Sequence, residues 1–329
     1  MDERSPRRLT REPRLVGLDT LDRAALAAEA AAGLCERPAR LAPKFFYDAL
    51  GSRLFEAITA LDAYYLTRTE RAIFDAHGRA IAAAVLARTG AAPVMVDLGA
   101  GNGEKAARLF PLLAPRRYFA VDIALEHLRD ALLARQREHP AVEMVGVGQD
   151  FSREFSLPAA IGAPRSLVFY PGSSIGNFAP EDALRLLRQA RAVAAGGALL
   201  IGVDLVKPAP LLEAAYDDEL GVTAAFNLNV LCHLNRLLGA DFAPRGWLHR
   251  ARFDGDAARV EMHLEARAAV TVRWRGGERA FAAGERIHTE NSYKWTVEAF
   301  AALLRDAGYA QPRHWSDAAG WFAVFVADA

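Results

Sequence analysis

Five short apolar runs, at residues 94–98, 118–122, 142–147, 165–170 and 197–204, alternate with helical patterns at 99–113, 125–138 and 180–194. No other feature limits the possible folds so tightly. Short runs with apolar residues at consecutive positions suit strands covered on both faces, and strands alternating with helices build βαβ units around a parallel sheet. The rhythm stops after residue 207. A helical stretch at 211–238 and alternating segments at 260–264 and 268–274 follow, then a helix at 297–307 and two closing strands at 311–315 and 321–326. The turn at 317–320 makes those two an antiparallel pair. A chain of 329 residues has room for two parts. The spacing predicts a sheet part over 69–205 and 295–329, and a second part built from 21–68 and an insertion at 206–294.

Residues 21–34 are Ala-rich and periodic, and 45–58 form an amphipathic helical pattern. Thr67 and Glu70 have capping-box spacing ahead of a long helix expected at 69–89. The first twenty residues are charged and lack an apolar stretch, so they are expected to be a disordered arm rather than a signal peptide. The most apolar window, 80–96, is broken by Arg88, Gly90 and Pro93 and does not suit a membrane span. Forty basic and forty acidic residues cancel, which argues against a nucleic-acid or membrane-surface protein. Cys35 and Cys232 allow at most one disulfide and have no metal spacing; nor do the histidines, so no metal is expected. This cysteine usage fits a cytoplasmic protein. A monomer is expected.

The stretch 97–105, DLGAGNGEK, reads as a strand end, a glycine loop and a helix start. Backbone N–H groups at such a helix start attract anions, and glycines let a ligand approach the main chain. Asp122 closes the second strand, where a carboxylate can accept from two ribose hydroxyls. A dinucleotide fingerprint would need glycine at 104, where Glu104 stands. Asp150 and Phe151, at the end of the third strand, supply an acceptor and a ring face for adenine. Together these features favour S-adenosylmethionine over NAD, although either aspartate by itself could serve as a helix cap.

Five long motifs, FYDALGSRLFEAITALDAYYLTRTE, DLGAGNGEK, YPGSSIGNF, AYDDELGVTAAFNLNVLCHLNR and IHTENSYKW, stand in order along the chain. Together they resemble the L-histidine Nα-methyltransferases of ergothioneine biosynthesis, from about residue 42 to 325. The resemblance implies an α/β class I methyltransferase sheet, mostly parallel with an antiparallel last strand, and an inserted α+β substrate-binding domain. It implies S-adenosylmethionine as methyl donor and L-histidine as acceptor, trimethylated to hercynine. The donor site would fall on Gly99, Lys105, Asp122, Asp150 and Phe151. The amino-acid site would fall on Tyr64, Gly172, Asn177, Tyr216, Met262, Glu290 and Ser292. Asn177 and Tyr216 would hold the carboxylate, and Tyr64, Glu290 and Ser292 would face the imidazole. Leu66 and Asn291 depart from the family's pattern beside these motifs.

These residue types suit methyl transfer to an amine. The donor's leaving group is a neutral thioether, so no acid is needed. A carboxylate beside the amine would favour the unreactive ammonium, whereas the Asn177 amide orients it without that charge. Asn177 could also cap the helix expected at 180. Tyr47 and Tyr64 are candidate relay hydroxyls, with core packing as the alternative for Tyr47 and a hydrophobic staple for Tyr64. Glu290 and Ser292, two apart, point to one side of an extended segment. Spacing by itself equally allows a solvated strand with a surface Glu290–Lys294 pair. Methylation of tryptophan or tyrosine, a non-catalytic donor-binding module and an NAD-dependent oxidoreductase are the competing expectations.

Overall fold

The computed structural model describes residues 11–17, 23–151 and 163–329. Its main sheet has eight strands in the order Arg14–Gly17, Glu143–Gly148, Arg117–Asp122, Val94–Leu98, Leu167–Tyr170, Ala198–Asp204, Phe322–Asp328, Ala310–Ser316. The first six are mutually parallel. Phe322–Asp328 runs antiparallel to both of its neighbours. It therefore slots between Ala198–Asp204 and the strand that precedes it in sequence. The strand order reverses beside Val94–Leu98, and such a switch point opens a crevice at the carboxyl ends of the strands.

All residues of Val94–Leu98, Leu167–Tyr170 and Ala198–Asp204 are buried. Alternate side chains feed two cores: Met95, Phe169 and Leu200 on one face, Val96, Val168 and Ile201 on the other. Helix Tyr65–Thr89 packs on the first face, and Pro180–Ala194 lies on the second. Among the described residues no helix is long and apolar enough to cross a membrane.

A smaller sheet is ordered Ala39–Arg40, Arg286–Tyr293, Arg259–Ala266, Trp247–Asp254. The two-residue strand from the start of the chain pairs parallel with Arg286–Tyr293, so the N-terminal segment and the insertion share one sheet. Helices Ala209–Tyr216 and Val222–Leu238 pack on it, and Ala49–Thr59 packs on the latter. Phe46 stacks on Phe226 with ring centroids 4.6 Å apart.

Several expectations differ from the structure. The helical patterns at 99–113 and 211–238 are each broken into two helices, Glu104–Ala107 with Phe110–Leu113 and Ala209–Tyr216 with Val222–Leu238. Residues 14–17, expected within a disordered arm over 1–20, form an edge strand; residues 1–10 and 18–20 lie outside the described residues. Leu15 fills space that Gly146 leaves, since a Cβ there would lie 2.7 Å from Leu15 Cδ2. The expected helix at 45–58 is split into a 3-10 turn, Pro43–Phe46, and helix Ala49–Thr59. Asp48 makes the break by accepting the Gly51 N–H at 2.7 Å, an N-cap inside the periodic pattern. The long helix starts at Tyr65, so Thr67 lies within it, and Glu70 turns into the protein instead of closing a capping box. Finally, Trp247–Asp254, Gly277–Phe281 and Arg286–Tyr293 add strands that the pattern did not resolve.

Candidate active site

Two cavities open at the carboxyl ends of the parallel strands. The larger, about 1260 Å³, is lined by Gly99, Lys105, Asp122, Asp150 and Phe151. The smaller, about 50 Å³, is walled by Tyr216, Met262, Glu290 and Ser292. Tyr47, Tyr64, Gly172 and Asn177 line both. Every residue assigned from the sequence to the donor site, the amino-acid site or the relay therefore borders one of two chambers that share a wall.

On the large side, Gly99, Gly101 and Gly103 have φ of +67°, +53° and +68°, a left-handed path that only glycine takes without strain. Asp122 fastens this loop to the second strand. Its Oδ2 accepts the Gly101 N–H at 2.9 Å and its Oδ1 the Ala124 N–H at 2.9 Å. Each carboxylate oxygen retains a second lone pair for a ligand hydroxyl. Asp150 is ion-paired with Lys44 at 2.8 Å, and Lys44 also binds Glu29 at 2.9 Å. Lys44 thus ties the N-terminal segment to the cleft, a role its sequence neighbours did not signal. Phe151 sits under the loop, where a Cβ on Gly99 would meet its ring at 3.7 Å.

On the small side, the loop after Leu167–Tyr170 carries Gly172 at φ +78° and Ser173 at φ +60°. Ser173 tolerates that backbone, at a cost of about 1 kcal/mol, because its hydroxyl accepts the buried Asp204 N–H at 2.8 Å. The loop then forms the turn Ser174–Asn177. Helix Pro180–Ala194 has Ala179 at its N-cap and no side-chain cap, so Asn177 is not spent on capping. The aromatic walls are close: Tyr64 lies 6.4 Å from Tyr216 and 6.3 Å from Phe55, edge to face. Burial, with Glu290 and other tyrosines nearby, pushes the Tyr47 and Tyr64 hydroxyls well above their ordinary range. Both stay protonated and can donate or relay, but neither serves as a base.

A buried ionic cluster backs this chamber. Asp204 accepts from Tyr65 at 2.7 Å and Lys207 at 2.6 Å, and pairs with Lys294 at 2.9 Å. Lys294 also donates to the Tyr216 hydroxyl at 2.9 Å and the Ser292 hydroxyl at 2.7 Å, and those two oxygens are 2.7 Å apart. The surface Glu290–Lys294 pair is thus replaced by a fully enclosed lysine that orients two hydroxyls. Asp204, at a strand end like Asp122, could have been flagged by that placement.

Burial raises the Glu290 carboxyl to about 8, opposed by Lys294, and raises Asp97 to about 7, opposed by the Tyr118 hydroxyl. Both values exceed the ordinary carboxyl range, so the folded chain keeps protons that the unfolded chain releases. Stability should fall as pH rises from about 5 to about 8. Thermal melts across that range should show a shallower fall for Glu290→Gln; an identical slope would mean that Glu290 ionises freely.

The comparison with known families decides the class. Residues 26–329 match the model of the family described as histidine-specific methyltransferase, SAM-dependent. The chain belongs to this family. It is 41% identical to the histidine N-alpha-methyltransferase of Mycolicibacterium smegmatis, over 92% of this chain and 94% of that one. The Mycobacterium tuberculosis protein of the same name is 39% identical, again over 92% and 94%. Ergothioneine biosynthesis protein 1 of Schizosaccharomyces pombe is 30% identical over 72% of this chain and 32% of its own length.

The large cavity suits the methyl donor that the family uses. Asp97 Oδ1 and the Tyr170 hydroxyl are buried there without a hydrogen-bond partner among the described residues. Buried polar atoms of this kind call for a ligand or water partner. An acceptor at Asp97, acceptors on Asp122 and Asp150 and the Phe151 ring match an ammonium, a ribose and an adenine.

Proposed function

We propose that this chain transfers methyl groups from S-adenosylmethionine to the α-nitrogen of L-histidine, three in succession, giving hercynine, the first step of ergothioneine biosynthesis. The observation that carries this reading is the shared wall: Tyr47, Tyr64, Gly172 and Asn177 border both chambers. A donor in the large cavity and an amino acid in the small one would meet there. Family membership and the bacterial relatives support histidine as acceptor.

Bound donor supplies a methyl group on a sulfonium. Gly99, Lys105, Asp122, Asp150 and Phe151 hold it. Asn177 and Tyr216 bind the histidine carboxylate, while Tyr64, Glu290 and Ser292 face the imidazole against Met262. Residues 21–68 and 206–294 act as the substrate-binding part, and 69–205 with 295–329 as the donor-binding part. Tyr47, Tyr64 and Asn177 leave the amine neutral and aimed, and water takes the proton released before each transfer. Alignment of this kind lowers a barrier by as much as about 7–11 kcal/mol. Aromatic faces of Tyr47, Phe55 and Tyr64 suit the cation that builds up on nitrogen. The enzyme works as a cytoplasmic monomer.

The test is an incubation of the purified chain with the donor and histidine, tryptophan or tyrosine separately, read by mass spectrometry. Trimethylhistidine should dominate. Methylation of another amino acid with histidine untouched would overturn the assignment, and bound NADH that S-adenosylmethionine fails to displace would point to an oxidoreductase.

A further inference from the structure

Glu70 has no part in the chemistry above, yet its carboxylate joins the two chambers. It turns inward from helix Tyr65–Thr89 and is 2% exposed. Oε2 accepts from Lys105 Nζ at 2.6 Å, and Oε1 accepts the Gly172 N–H at 2.7 Å. Lys105 stands on the short helix that follows the glycine loop, on the donor side. Gly172 belongs to the loop that carries Asn177, which borders both chambers and reaches the amine side. One carboxylate thus holds both binding segments, one oxygen to each. The surrounding packing leaves it little slack. A Cβ on Gly172 would lie 2.7 Å from Lys105 Nζ, and one on Gly202 would lie 2.1 Å from Glu70 Oε1.

We propose that Glu70 is a positioning residue, a strap that fixes the donor-side helix against the amine-side loop and so sets the separation and line of the reacting methyl and nitrogen. The proposal rests on the methyl-transfer reading. Its chemistry is specific: displacement at a sulfonium methyl needs nitrogen, carbon and sulfur in line, and the two ligands are held by segments far apart in sequence. Both bonds end on the Glu70 carboxylate, one from the Lys105 ammonium and one from the Gly172 backbone N–H, so each is charge-assisted and stiffer than a neutral bond. Their loss would let the segments drift while each still bound its own ligand.

Glu70→Gln keeps the size and removes the negative charge that faces Lys105. Glu70→Asp keeps the charge and shortens the reach. For both, kcat, KM for histidine and the Kd of S-adenosylhomocysteine by calorimetry would be measured beside the wild type, with a thermal melt to confirm folding. We expect kcat to fall ~10- to 100-fold, since a small misplacement of reacting atoms has effects of that order. Kd and KM should each stay within about threefold, the split that separates alignment from binding. Unchanged kcat in either folded variant would overturn the proposal, as would a loss confined to S-adenosylhomocysteine affinity, which would make Glu70 a mere orienter of Lys105. A wild-type chain without turnover would instead remove the methyl-transfer reading, and the proposal with it.

Discussion

Replacing Glu290 by alanine is expected to lower kcat/KM for histidine by ~10²- to 10⁴-fold while leaving donor affinity unchanged. The side chain is buried on a strand, opposite Met262 on the neighbouring strand, and it borders the small chamber. A chamber that meets a ring nitrogen with a carboxyl discriminates strongly, because removing the partner strands a polar atom away from water. The loss should therefore be selective. Phenylalanine, which makes no ring hydrogen bond, should be affected little, so the histidine-to-phenylalanine ratio carries the result. Steady-state kinetics with both amino acids checks this. Equal losses for the two would mean that Glu290 supports the fold rather than reads the imidazole.

The second large effect is expected at Asn177. Asn177→Ala should lower kcat/KM for histidine by about 10²-fold, the scale of a lost orienting contact. S-adenosylhomocysteine binding should persist, because Asp122 and the glycine loop are held together without Asn177. Calorimetry with S-adenosylhomocysteine and initial rates with histidine separate the two. Normal turnover in Asn177→Ala would take this residue out of the site. A change that presses on the same loop from behind is Gly202→Ala. Its new Cβ would lie 2.1 Å from Glu70 Oε1 and 2.9 Å from the Phe322 ring, and overpacking of this kind destabilises by about 1–3 kcal/mol. Thermal melting checks it, and an unshifted midpoint would mean the pocket around Glu70 can yield.

Much of this was legible in the chain because local and global signals agree. The consecutive apolar residues of Val94–Leu98 and Ala198–Asp204 read as strands buried on both faces, and they are. The helices Leu125–Glu138 and Pro180–Ala194 carry clear 3.6-residue patterns and begin and end where expected. Misreadings arose where a tertiary partner outweighs a local motif. Thr67 and Glu70 have the spacing of a cap, but Lys105 and the Gly172 N–H offer Glu70 stronger bonds than its own helix end does. Lys294 looked like a surface charge because its partner Asp204 is ninety residues away and on the other sheet. Arg14–Gly17 is too short and too exposed to leave a periodic trace, and only its pairing with Glu143–Gly148 defines it. Lys44 is recognisable only when Asp150 is beside it.

The claim on which the rest depends is that two ligands meet across the wall formed by Tyr47, Tyr64, Gly172 and Asn177. A crystal grown with S-adenosylhomocysteine and histidine tests it directly. The S-adenosylhomocysteine sulfur should lie in the large cavity, the imidazole beside Glu290, and the α-nitrogen at that wall facing the sulfur. Histidine bound elsewhere, or with its α-nitrogen turned away from the sulfur, would contradict it.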